Sequence, residues 1–269
     1  MCTSFAVHRD RTFIGMNFDI SDRPIKLALR GEDQLLVLQG ENGNDYPAFG
    51  MNGRGTFMNL QMVDPKKEGL YRRGKNCVHM MRLFEDVLSG RLEPTALQSY
   101  LDGKTITNVP GYSVHSLIAG KGRHSVVVEP GRGSVEPDEA GRDFVVLTNF
   151  SLSNRKDRTF TDVQGAGSDR YTKAYESLSA HKESFTTERG FALLQETVQR
   201  EGEYPTQLSL VFIPEEGTVY FALRADFTKI YSFSFETNQI RTAKGFASPK
   251  QLALTKKGVS VSELQSWMA

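Results

Sequence analysis

Met1-Cys2-Thr3-Ser4-Phe5-Ala6-Val7, then His8-Arg9-Asp10-Arg11, then Thr12-Phe13-Ile14-Gly15-Met16-Asn17-Phe18-Asp19 open the chain. Two runs with strand composition, Ser4–Val7 and Thr12–Asn17, flank four charged residues, which predicts a β-hairpin. Cys2 follows the initiator Met directly, and a second residue this small favours removal of that Met. Cys2 would then carry a thiol and a free α-amine on one residue. An unperturbed α-amine titrates at roughly 7.7–8.0, so it can take the thiol proton near neutral pH. Thiol and amine together form a nucleophile that brings its own base. Taken alone, Cys2 reads more simply as a small residue that begins a strand, and the rest of the chain decides between the two.

Farther along, short β-rich segments broken by Gly, Pro, Asn and Asp dominate: Leu35–Leu38, Tyr46–Phe49, Gly55–Met62, His115–Ala119, Ser125–Glu129 and Phe144–Thr148. Leu208–Ile213, Thr218–Leu223 and Ile230–Phe235 read as a meander, with Pro214-Glu215-Glu216-Gly217 as its first turn. Helical periodicity appears in two blocks. Cys77–Leu88 puts Cys77, Met80, Met81, Phe84 and Leu88 on one face with Gly90 as a stop, and Pro94–Leu101 follows with Pro in its first turn. Ser168–Ala180 and Thr186–Gln199 form the second block, the latter with Phe191, Leu194 and Val198 on one face. Strands, helix pair, strands, helix pair, strands: this order predicts an α+β fold in which two antiparallel sheets lie between helical layers. No Pro/Ser-rich linker, composition shift or fixed-period repeat divides residues 1–269, so one domain is expected.

Composition removes several classes of function. Of 269 residues, 33 are Lys or Arg and 32 Asp or Glu, a net charge of +1, which lacks the basic footprint of a nucleic-acid binder. No window approaches the roughly 18–20 apolar residues of a membrane helix, and the N-terminus lacks the pattern of a signal peptide, so a cytoplasmic location is expected. Two cysteines, Cys2 and Cys77, make no disulfide framework, and the five histidines (His8, His79, His115, His124, His181) show no metal-ligand spacing, so no metal is expected. Gly131–Gly133 lacks the strand–Gly–helix setting of a phosphate loop. Cys77 and Met80-Met81 read as core, and Lys66-Lys67 with Arg72-Arg73 as a solvated basic loop.

The opening hairpin, ending Gly15-Met16-Asn17-Phe18-Asp19, resembles the start of the choloylglycine hydrolase and penicillin V acylase family, and of its acyl-CoA:6-aminopenicillanate acyltransferase branch. Later segments match in the same order: Phe49-Gly50-Met51-Asn52-Gly53-Arg54-Gly55, Phe57-Met58-Asn59-Leu60, Val146-Leu147-Thr148-Asn149-Phe150, Gly165–Tyr171, and Tyr204–Leu208 followed by Pro214–Tyr220. The resemblance covers nearly the whole chain. It implies an αββα sandwich of the N-terminal-nucleophile (Ntn) hydrolases and a cofactor-independent enzyme that cleaves a non-peptide C–N amide bond of a small N-acyl substrate. It implies Cys2 as nucleophile, Asp19 beside its amine, Asn149 and, less directly, Asn59 as oxyanion donors, and Arg170 behind the nucleophile. Homo-oligomers, dimers or tetramers, are frequent among such relatives.

One position departs from the pattern. The hydrolase branch usually carries Arg after the glycine at position 15, where this chain has Met16. The lost guanidinium would favour a thiolate, and its absence weakens any assignment to bile salts in particular. Acyl transfer on the same fold and a non-catalytic binding protein remain open alternatives. His115 reads first as an ordinary core or surface residue, with a place at the border of the pocket as the alternative; Phe57, Met58, Met62 and Tyr112 are candidates for an apolar acyl site, although such residues on strands are usually core.

Overall fold

The structure is a computed structural model that describes residues 1–135, 143–153, 162–180 and 184–268. The opening hairpin is β1 (Thr3–His8) and β2 (Thr12–Asp19). Strands β3 (Ile25–Arg30), β4 (Gln34–Glu41), β5 (Asn44–Asn52), β6 (Thr56–Asn59) and β7 (Gln61–Met62) follow. The first helical block contains β8 (Cys77–His79), α1 (Met80–Leu88), α2 (Leu97–Leu101) and β9 (Thr105–Thr107). Next come β10 (Val114–Gly120), β11 (His124–Glu129), β12 (Gly133–Val135) and β13 (Phe144–Leu147), then α3 (Ser168–Ala180) and α4 (Thr187–Glu196). The last elements are β14 (Thr206–Ile213), β15 (Thr218–Leu223), β16 (Ile230–Ser234), β17 (Gln239–Lys244), β18 (Gln251–Ala253), β19 (Val259–Ser260) and α5 (Val261–Gln265).

Two antiparallel sheets result, in the orders β13-β1-β2-β14-β15-β16-β17-β18 and β12-β11-β10-β6-β5-β4-β3-β19, with β7 also on β10. Side chains alternate along a strand, and here both sets are apolar. Ala6 of β1, Ile14, Met16 and Phe18 of β2, and Leu210 and Phe212 of β14 meet Leu35, Val37, Phe49, Phe57 and Leu117 between the sheets. The alternate residues Phe5, Val7, Phe13, Val146 and Val211 face outward onto Tyr171, Ala174 and Leu178 of α3 and Leu193 and Leu194 of α4. Leu36, Met58, Val114 and Ile118 of the second sheet face Met80, Leu83, Phe84, Val87 and Leu88 of α1. Three apolar layers between four layers of backbone make the expected αββα sandwich, since each sheet must cover two faces. Among the described residues no helix is long and apolar enough to cross a membrane.

Several expected boundaries shift. Cys77–His79 is strand, paired in parallel with Thr105–Thr107, and α1 begins at Met80 because the His79 ring accepts the Arg82 N–H as its cap. The buried face of α1 is therefore Met80, Leu83, Phe84, Val87 and Leu88, with Cys77 and Met81 only half-buried. The helix does stop at Gly90, whose φ of 70° suits glycine. Pro94–Leu101 opens with a 3₁₀ turn, Pro94–Ala96, before α2. Gly55–Met62 is broken after Asn59, whose Oδ1 accepts the Leu117 N–H at 2.8 Å. Thr186 caps α4, which ends at Glu196 rather than Gln199. There Asn17 Nδ2 donates to Leu194 O at 2.8 Å, and Thr197 Oγ1 donates back to Leu193 O at 3.0 Å. Strands β3, β17, β18 and β19 and helix α5 had no distinct signal in the sequence: β17, β18, β19 and α5 are short or half-exposed, and β3, though largely buried, mixes Lys26 and Arg30 with its apolar residues. His181 lies outside the described residues.

Candidate active site

Alternation along β1 decides where Cys2 points. Ala6 and Ser4 face the space between the sheets, Phe5 and Thr3 the helices, and Cys2 falls on the inner set at the end of that apolar layer. Its thiol is buried, with Sγ 3.8 Å from the Asp19 carbonyl oxygen. Burial holds the thiol above its ordinary pKa, against the opposing pull of the N-terminal ammonium; Asp19 adds to the rise, while its carbonyl and Arg170 work against it. A thiol in this setting stays protonated until a base is brought to it.

Three groups from separate elements converge on Cys2. Asn149 comes from the segment after β13: its Oδ1 accepts the Cys2 N–H at 2.8 Å and Arg170 Nη2–H at 3.0 Å. Two donors on one side define the orientation of the carboxamide. Its Nδ2 donates one hydrogen to Met62 O at 2.7 Å, which leaves the second N–H for another acceptor. Arg170, in the first turn of α3, reaches from the outer helical layer to Cys2 O (2.7 Å) and Thr3 Oγ1 (2.8 Å), and lies 3.6 Å from Asp19 Oδ2. Asp19 ends β2; its backbone oxygen accepts the Met1 ammonium at 2.7 Å. Thr206 Oγ1 donates to Asp19 Oδ1 at 2.6 Å and Gln199 Nε2 to Oδ2 at 2.7 Å. Burial raises the Asp19 pKa to about 6, against the Thr206 hydrogen bond, Arg170 and Gln199.

Asn59 stands apart from this group. Its Nδ2 lies 3.0 Å from Ser4 Oγ and 3.3 Å from Gln61 Oε1, and 3.9 Å from Met16 Sδ. It meets Cys2 only through Gln61, whose Nε2 donates to Cys2 O at 3.0 Å and Leu147 O at 3.3 Å. Met16, where the family pattern has Arg, belongs to the apolar layer between the sheets. Phe57 and Met58 are consecutive on β6 and so face opposite ways, Phe57 inward and Met58 onto α1; they cannot line one pocket. Met62 and Tyr112 are exposed, and the Lys66, Lys67, Arg72 and Arg73 loop is solvated as expected. His115 is fully buried against Glu129 and Thr148 O.

Gln61, Gln199, Thr206 and Glu129 are polar residues around Cys2 and Asn149 that the sequence reading passed over. Gln61 carried a faint signal, standing two residues after Asn59 and therefore on the same face of the strand. Gln199 and Thr206 flank a loop and reach Asp19 only after the chain has folded.

No family model matches the sequence, and no curated protein matches it. Solved structures do. The chain is similar to a mutant of the conjugated bile acid hydrolase from Clostridium perfringens, with 16% identity, a TM-score of 0.64, and coverage of 91% of this chain and 97% of that one. It is similar to penicillin V acylase from Agrobacterium tumefaciens at 14% identity and a TM-score of 0.61, over 90% and 91% of the two chains. The Caenorhabditis elegans ortholog of N-acylethanolamine-hydrolyzing acid amidase is similar at 16% identity and a TM-score of 0.53, over 79% of this chain and 93% of that one. Identities this low speak of architecture alone. The chain has the αββα sandwich of the Ntn hydrolases, the fold that the choloylglycine hydrolases and penicillin V acylases share.

Proposed function

We propose that the chain is an amide hydrolase that cleaves a non-peptide C–N bond of a small N-acyl substrate, with Cys2 as nucleophile and its own α-amine as base. The observation that carries this reading is the convergence of Asn149, Arg170 and Asp19 from three elements onto Cys2. The fold shared with a bile acid hydrolase, a penicillin V acylase and an acid amidase supports amide cleavage as the chemistry.

In the structure the Cys2 nitrogen is a peptide N–H, because Met1 precedes it. Loss of Met1 frees that nitrogen as an amine; Asn149 Oδ1 keeps one of its hydrogens engaged, and the lone pair is available to the thiol. The amine takes the Sγ proton, and the thiolate attacks the amide carbonyl. The resulting oxyanion accepts the second Nδ2–H of Asn149, a type of contact worth about 10²–10³ in rate. The tetrahedral species collapses as the ammonium protonates the departing amine, leaving a thioester on Cys2. Water, deprotonated by the same amine, attacks the thioester; the acid leaves and the thiol is restored. Asp19 and Arg170 act on position and charge. An ionised Asp19 favours the ammonium, and Arg170 fixes Cys2 O and the Asn149 carboxamide.

The test begins with intact mass, to establish that one Met residue has been removed. The processed protein is then offered a panel of N-acyl amides (penicillin V, conjugated bile salts, N-acyl homoserine lactones, N-acyl amino acids) beside Cys2→Ala. Turnover by the first and none by the second is the expected result; equal turnover ends the reading. An added amine or thiol that captures the acyl group in place of water would reassign the reaction to acyl transfer.

A further inference from the structure

Asn149 stands just past the end of a strand. β13 stops at Leu147, and among the described residues two side chains of the opposite sheet hold the backbone beyond it. His115 Nε2 meets Thr148 O at 2.7 Å. Glu129 accepts Leu152 N–H at Oε1 and Ser153 N–H at Oε2, both at 2.9 Å, and the Ser151 hydroxyl at 2.8 Å. His115 Nδ1 and Glu129 Oε1 lie 3.0 Å apart, and neither residue is exposed. Register explains the pairing. Ser116 opposes Val128, so one step further His115 opposes Glu129, and like Leu117 and Val127 both face the space between the sheets.

Both ring nitrogens of His115 face oxygen atoms, one of Glu129 and one of Thr148. Burial pushes the Glu129 carboxyl up, but His115, Ser153 N–H and Ser151 outweigh this and hold it at about 2. Arg170 faces Asn149 from α3 on the other side. A buried pair of this kind is weak support for stability, because desolvation offsets most of its attraction. Its hydrogen bonds instead define one conformation of the segment that carries Asn149.

We propose that His115 and Glu129 are positioning residues for the reaction, holding Thr148–Ser153 so that the Asn149 carboxamide keeps one N–H on Met62 O and the other free for the oxyanion. This rests on the reading of Cys2 and Asn149 given above. Glu129→Gln keeps the shape but loses the charge and one acceptor. In the Met-processed enzyme it should lower kcat by about 10- to 100-fold with KM within about twofold, the scale of a misplaced catalytic group. Amide hydrogen exchange should accelerate in 148–153 while β1 and β2 stay protected. In an Asn149→Ala background, Glu129→Gln should cost no further kcat, because its effect passes through Asn149. Ser151→Ala removes a single donor and should give a smaller loss in the same direction; it serves if Glu129→Gln does not fold. Unchanged kcat, unchanged exchange in 148–153, or an undiminished further loss in the Asn149→Ala background overturns the proposal. Failure of the underlying reading is distinct: Cys2→Ala would then turn over as fast as the unaltered enzyme.

Discussion

Asn149 has its carboxamide oxygen occupied twice and its nitrogen once, so a single N–H is left to act. Asn149→Ala should lower kcat by about 10²-fold or more with a smaller change in KM, as for a contact made mainly in the transition state. A loss confined to KM would make Asn149 a substrate-binding residue instead. Asp19 brings function and stability into opposition. Its pKa is raised by burial from 3.8 to about 6, so the folded state binds this proton more tightly than the unfolded chain does. The stability it contributes is fully present below pH 3.8 and is lost as pH rises through about 6. Activity, which on the proposed mechanism needs the carboxylate, should rise over the same interval. Rate profiles should show an acid limb near pH 6 that Asp19→Asn abolishes along with most of the turnover. Melting temperatures of the two proteins, measured from pH 4 to 7, should converge or cross as the wild-type advantage fades.

At the scale of one element, β2 serves two layers. Ile14, Met16 and Phe18 fill the space between the sheets, while Gly15 and Asn17 face the helices. Gly15 lies opposite Phe5 on β1, and the Phe5 ring occupies the space a Cβ would need. Gly15→Ala should therefore destabilise the protein by about 1–3 kcal/mol, the usual cost of overpacking; denaturant unfolding measures it, and a midpoint equal to wild type would mean that the ring moves freely aside. Asn17 donates to the Leu194 carbonyl of α4 and accepts Ser209 Oγ–H at 2.7 Å. Ending α4 at Glu196 leaves Gln199 in a loop, where it reaches Asp19. The Gly15-x-Asn17-x-Asp19 spacing thus combines close packing, a helix end and a charge at the site.

Across the whole molecule, the candidate site lies where three layers meet. Cys2 comes from the first sheet, Gln61 and, separately, the His115–Glu129 pair from the second, and Arg170 from the outer helices. Met1 is exposed; its ammonium donates to Asp19 O at 2.7 Å and its carbonyl accepts Gln199 Nε2–H at 3.3 Å. A protein extended at its N-terminus so that Met1 is retained should melt within a degree or two of the processed form and yet be inactive. Turnover by the extended form at the processed rate would exclude the amine as base.

The hairpin Thr3–Asp19, the helix-pair interruptions and the sandwich they imply are legible in the sequence, because period-2 and period-3.6 apolar patterns are local properties of the chain. Cys2 behind Met1 was legible as a candidate, but its position alone favoured the simpler reading of a small residue that begins a strand. Asp19, Asn149, Arg170 and Asn59 were legible as candidates only through a family pattern; in the fold Asn59, the expected second oxyanion donor, is engaged with Ser4, Gln61 and Leu117 N. Tertiary structure alone decided that Gln61 and Arg170 share the Cys2 carbonyl, that Gln199 and Thr206 hold Asp19, and that His115 and Glu129 grip the Asn149 segment. Each of these contacts joins residues 23 to 187 positions apart, and no local pattern encodes which polar side chains will meet once two sheets close over a shared core.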